Sequence, residues 1–111
     1  MQIIKEKTPF QILVKEAEEY YGDMVKAVVD VEREIMAIGG ELHSDEEAML
    51  LDDGSLQQNL WGINIWINKD REEWIEFDSM INIRPRQNNR SKGVESSETR
   101  EKIINIINNL V

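Results

Sequence analysis

Apolar and polar residues alternate along this chain with two different periods, and the places where the period changes mark its elements. Phe10, Leu13, Val14, Ala17 and Tyr20 or Tyr21 recur at helical spacing, with Lys15, Glu16, Glu18 and Glu19 on the opposite side. Thr8 can cap this segment, Pro9 suits a first helical position, Gln11 can close a capping box and Gly22 can stop it. A helix is therefore expected over about 9–21. From Met24 to Val31 the period drops to two, with Val25, Ala27, Val29 and Val31 on one face and Lys26 and Asp30 on the other. A turn near Glu32-Arg33 leads to a return strand at Ile35-Met36-Ala37-Ile38, where Gly39-Gly40 suggests a bulge or a close backbone approach. Ala48-Met49-Leu50-Leu51 reads as a further strand and Asp52-Asp53-Gly54-Ser55 as a turn. Leu60 to Ile67 and Trp74 to Ile83 alternate as two longer strands, separated by a polar turn over 68–73. Pro85 interrupts ladder pairing and Gln87 to Gly93 is loop-like. Ser96 or Ser97 caps a last helix whose apolar face is Ile103, Ile104, Ile106, Ile107, Leu110 and Val111.

Consecutive strands with short connections pair antiparallel, and two amphipathic helices that bracket a sheet most simply share one of its faces. The expected fold is α+β: an antiparallel four- to five-stranded meander sheet with an N-terminal and a C-terminal helix packed on one face, in a single domain over residues 1–111. In regular register the other face shows Lys26, Val28, Asn64, Trp66, Trp74, Glu76, Asp78, Met80, Asn82 and Arg84. That mixture is too apolar for plain solvent contact and too polar for a core. Trp66, Trp74 and Met80 suggest a groove or a homo-oligomer interface there. The alternative is that the 40–60 segment folds over them, and a register slip of one residue would exchange the two faces.

Composition narrows the class. The 111 residues are 41 % apolar and 32 % charged, globular values that support one modest core. With 22 acids against 13 lysines and arginines the formal charge is −9, which opposes broad contact with nucleic acid or an anionic membrane. There is no cysteine, so disulfides, thiolate metal sites and thiol nucleophiles are excluded. The short, charged start and the lack of an apolar run of ~20 residues point to a soluble cytoplasmic protein. The charge is also unevenly laid out. Glu34 to Asn68 holds seven carboxylates and the only histidine, with no lysine or arginine, whereas Arg84 to Lys92 holds four cations and no acid.

Two polar sets carry candidate chemistry. Glu41, His43 and Asp45 alternate; in an extended segment all three share a face, ~7 Å apart, as a general base with orienting carboxylates or as ligands to a hard cation. The ordinary reading is a solvated or salt-bridged histidine, and too few His and Cys are present for a zinc site. Arg84 and Arg86 straddle Pro85 and, with Arg90, Asn82, Ser79 and Asn89, could hold a phosphate or carboxylate bidentately, or simply pair with the acids of 41–53. No P-loop, dinucleotide fingerprint, nucleophile elbow or zincin motif occurs, and Asp52-Asp53-Gly54-Ser55 lacks the alternating ligands of a calcium loop. No metal site and no cofactor are expected.

The runs Gly39-Gly40-Glu41-Leu42-His43, Asp53-Gly54-Ser55, Leu60-Trp61-Gly62-Ile63-Asn64 and Ser79-Met80-Ile81-Asn82-Ile83-Arg84-Pro85-Arg86, with Asn89-Arg90, carry a resemblance over nearly the whole chain. The chain resembles a small uncharacterised prokaryotic family, a domain of unknown function. The resemblance implies that the two polar sets are family features, and it supplies no reaction. It also implies a glycine where this chain has Asn88, a residue that tolerates positive φ. Two functions follow. One is an uncharacterised binding or interaction domain, self-associating, with an anion pocket. The other is a small enzyme or metal-dependent hydrolase acting on a phosphate or carboxylate substrate through His43 with Arg84 and Arg86.

Overall fold

The computed structural model describes residues 1–111. In chain order the elements are β1 (Gln2–Ile4), α1 (Gln11–Tyr20), β2 (Met24–Asp30), β3 (Ile35–Ile38), α2 (His43–Asp52), β4 (Leu60–Trp66), β5 (Ile75–Glu76) and α3 (Ser97–Leu110), with 3-10 turns at Gln57–Asn59, Met80–Asn82 and Pro85–Gln87. The fold is α+β, and its five strands form one antiparallel sheet in the order β1-β3-β2-β4-β5. The β2–β4 ladder is the spine, running from Met24 opposite Trp66 to Asp30 opposite Leu60. Asp30 shapes the β2–β3 turn: its Oδ1 accepts the amides of Glu32 and Arg33 at 2.9 and 3.0 Å, and its Oδ2 accepts the Ser55 hydroxyl at 2.6 Å.

The larger core fills the space between one sheet face and the helices α1 and α3. Leu13 and Ala17 of α1 and Ile103, Ile106, Ile107 and Leu110 of α3 meet Val25, Ala27, Val29, Met36, Ile38, Ile63 and Ile65. The two terminal helices thus share a face, and the Thr8 amide donates to Leu110 O at 2.8 Å where their ends meet. On the opposite face α2 covers a smaller cluster of Val28, Ile35, Ala37, Leu50 and Leu60.

The sequence pattern gives no sign of the N-terminal strand β1, which is only three residues long, too short for any alternation to show. Two expectations about the elements are corrected. Ala48–Leu51 lies in α2, not in a strand. The buried stripe of that helix is His43, Glu46 and Leu50, so two of its three inward positions are polar and the helical period is masked. Finally, Trp74–Ile83 contributes only Ile75–Glu76 to the sheet.

Beyond β5, side chains take over the pairing. The Asn82 carboxamide accepts the Gly62 amide at 2.8 Å and donates to Gly62 O at 2.9 Å, as a peptide unit of a neighbouring strand would. Arg84 Nη2 donates to Leu60 O at 2.6 Å, two residues back along the same edge of β4. A side chain at Gly62 would stand 2.5 Å from Ser79 Oγ, so a glycine is required for this close crossing. Trp74 is also corrected as an interface residue: it is 2 % exposed and packs on Phe10 with ring centroids 5.6 Å apart. Trp66 is half-buried beneath Lys69 and donates to Glu76, which leaves Met80 as the openly exposed member of that trio.

Candidate anion site

The arginine run builds a loop. The Arg84 guanidinium donates to Gln57 O and Leu60 O and lies 4.1 Å over the Trp61 ring, so its fork is committed to backbone carbonyls. Its half-buried position lowers its pKa, chiefly through lost hydration. Asn82 is fully buried and spends its third hydrogen bond on Lys92 O at 2.8 Å. Asn89 donates to Asn82 O and Gly93 O, both at 2.8 Å, and Asn88 takes up φ 59°, the left-handed conformation that Asn tolerates. The Glu95 carboxylate accepts the amides of Arg90 and Ser91, and those bonds hold it below the usual carboxylate range. Arg86 and Arg90 are exposed side chains without a protein partner.

The Glu41, His43 and Asp45 trio is separated by the start of α2. Leu42 is extended (φ −124°, ψ 147°) and the helix begins at His43, so His43 and Asp45 diverge by about 200° around its axis. Glu41 and Asp45 line a shallow cavity of about 300 Å³ with Gly39, Gly40 and Tyr20; His43 does not border it. No three His, Asp or Glu side chains gather closely enough to hold a metal ion. Gly39-Gly40 threads between two carboxylates: a side chain at Gly39, with φ +83°, would meet Glu16, and one at Gly40 would stand 2.7 Å from Glu46 Cγ. Glu46 is wholly buried and accepts the Gly40 amide at 3.0 Å, while its Oε1 has no partner. Burial pushes its pKa up to about 9, so it is neutral at pH 7.

His43 turns the other way, into a cavity of about 360 Å³ between the first turn of α2, the open part of the sheet and the loop at 78–81. Its Nε2 lies 2.7 Å from Ile63 O. A carbonyl only accepts, so Nε2 carries the proton and the neutral ring leaves Nδ1 as a lone pair. Burial lowers the imidazole pKa; Lys26 lowers it further, and the Ile63 bond opposes both. Beside it, Asn64 is 6 % exposed; its Nδ2 donates to Glu76 at 2.8 Å while its Oδ1 has no partner. Lys26, opposite Asn64 in the ladder, and Lys92 both line the cavity and neither makes a salt bridge. Asp78 is the one carboxylate in the lining, which leaves one positive charge in excess. The N-cap of α2 is Leu42, which offers no side-chain acceptor, so the His43 and Ser44 amides are unpartnered.

Sequence reasoning placed Lys26 and Asn64 on this face and singled out His43, but it missed Ser44 and Lys92. Larger cavities lie along α1 (about 410 Å³) and between β5 and α3 (about 450 Å³), but neither borders a buried ionisable group. The structure therefore brings His43 together with two lysines. Arg84 grips β4 at Leu60, three residues from the His43 contact at Ile63, roughly 10 Å along the strand.

A family model described as Protein of unknown function (DUF5674) matches residues 2–110 of the chain. No curated protein and no solved structure matches it. No helix is long and apolar enough to cross a membrane.

Proposed function

Because the chain belongs to DUF5674, a family of unknown function, its chemistry must come from its own residues, and we propose that it is a binding protein for a small anion, a phosphate or a carboxylate, held in the His43 cavity. One observation supports the reading: two lysines that make no salt bridge, Lys26 with its ammonium group 5.5 Å from the Tyr21 ring centre and Lys92, border one cavity with an uncapped helix N-terminus, in a protein whose formal charge is −9. A net-acidic chain that leaves two lysines unpaired in a concave site favours an anion brought from outside. Lys26 and Lys92 supply charge. The His43 and Ser44 amides, aligned with the helix dipole, supply directed donors. Two or three charge-assisted hydrogen bonds, set against lost ligand freedom, give inorganic phosphate a Kd of about 0.1–1 mM.

The second reading, a small enzyme acting on an anionic substrate, is favoured by the His43 tautomer. A ring held by Ile63 O, with Nδ1 unprotonated beside two lysines, is the arrangement of a general base. In that reading Lys26 and Lys92 take the anion-holding part that the sequence assigned to Arg84 and Arg86.

Titration calorimetry with inorganic phosphate and with acetate tests the binding, comparing the native chain with Lys26→Gln/Lys92→Gln. At least a tenfold loss of affinity in the double variant is expected. Unchanged affinity, or no binding by the native chain, overturns the proposal. Turnover of simple phosphate or carboxylate esters by the native chain and not by His43→Gln would favour the enzyme over the binding protein.

A further inference from the structure

Leu42 occupies a position where Ser, Thr, Asp or Asn would stabilise α2 by about 1 kcal/mol, and it is 54 % exposed. Leucine here forgoes the cap and also leaves an apolar side chain in water, two local costs at one residue. Such departures from local preference collect at functional sites. Met80 is 68 % exposed, the most open large apolar side chain of the molecule, in the 3-10 turn that follows Ser79. Both line the cavity bordered by His43, Lys26 and Lys92, and a third apolar lining residue, Ile81, packs against the Leu50 and Leu60 cluster. The cavity thus has a cationic and an apolar part to its lining: half-buried Lys26 and exposed Lys92 on one hand, exposed Leu42 and Met80 on the other. Methionine in such a position adapts its shape to aliphatic groups.

We infer that the bound anion is amphipathic: one phosphate or carboxylate head on Lys26, Lys92 and the α2 amides, with an unbranched aliphatic tail against Leu42, Met80 and Ile81. The inference rests on the anion-binding reading and adds the tail to it. Charge complementarity fixes the orientation, because ammonium groups and free amides accept only the head and the two exposed side chains gain only from the tail. A space of about 360 Å³ holds roughly a dozen non-hydrogen atoms, enough for a phosphate and about seven or eight carbons.

The test is calorimetry with inorganic phosphate, butyl phosphate and octyl phosphate, and with acetate and octanoate, all below their micellar concentrations. Affinity should rise about twofold per methylene in this open cavity, below the roughly fourfold of full burial, reaching roughly 60-fold for octanoate over acetate and roughly 250-fold for octyl phosphate over phosphate. Leu42→Ala/Met80→Ala, which shortens two exposed side chains and puts no capping acceptor beside the α2 amides, should keep the phosphate affinity of the native chain and lose most of the chain-length gain. Octyl phosphate binding no tighter than phosphate, or a gain that survives in that variant, overturns the tail and leaves the anion site standing. Failure of every probe to bind overturns both. Binding to vesicles of anionic lipid without binding of the monomeric octyl compounds overturns the inference in favour of a surface-docking role.

Discussion

The two faces of the sheet are built on different principles. Under α1 and α3 the contact is apolar throughout, and stability there follows from area and packing. Under α2 and the 80–90 loop, a small apolar cluster is surrounded by buried polar groups: His43, Glu46, Asn64, Ser79, Asn82 and Asn89. On that side stability depends on hydrogen bonds that must be completed, because each buried group left without a partner costs about 1–3 kcal/mol. The first face specifies the fold, and the second carries the polar groups on which the proposed anion site rests. Lys92 shows the link: its carbonyl accepts both the Ser79 amide and the Asn82 carboxamide, so the polar network fixes the backbone of a residue that borders the cavity.

The sharpest way to break the contrast is Asn82→Leu. It keeps the heavy-atom shape but strands both backbone groups of Gly62 and takes one of its two donors from the Lys92 carbonyl, and should cost about 3–5 kcal/mol in urea unfolding. A volume-conserving change on the other face, Ile63→Leu, should stay below about 1.5 kcal/mol. Equal costs would show that the two faces do not differ in kind.

Glu46 gives the next largest effect, and its sign is distinctive. Its folded pKa, about 9, lies above the ordinary 4.5, so between those values the folded chain binds more protons than the unfolded one. Its contribution is therefore fully present below about pH 4.5 and is lost as the pH rises through 9, by up to about 1.4 kcal/mol per pH unit. From pH 5 to 8 the native chain should lose about 2–4 kcal/mol in denaturant titrations, with Glu46→Gln much flatter. A native profile as flat as the variant's would mean that Glu46 is charged in the fold.

Most of the first face was legible in the sequence, because the valine alternation of 24–31 and the spacing from Phe10 to Tyr20 are set by burial alone. The second face was legible only at strand positions, as with Lys26 and Asn64, whose polar character breaks an apolar run. It failed at α2, where Glu46 and His43 occupy inward positions that a pattern of apolar spacing assigns to water. It failed again at Asn82 and Arg84, which read as ligand donors because nothing local to 79–86 reveals that Gly62 and Leu60 need partners. Long-range satisfaction of backbone groups has no sequence period. The smallest expected effect follows from this reassignment: Arg86→Ala should change stability by less than about 0.5 kcal/mol and phosphate affinity by less than twofold. A tenfold loss of affinity would return the anion site to the arginine run.

The carboxamide and guanidinium that finish the outer margin of β4 bear on how copies of this chain behave when crowded. An ordinary strand margin offers a row of open donors and acceptors on which another molecule can lay its own backbone, the first step toward fibrils. Here the exposed stretch ends after Ile75–Glu76, and beyond it the neighbouring positions are already occupied by Asn82 and Arg84. The molecule thus guards against polymerising along that border with two side chains rather than with a further strand.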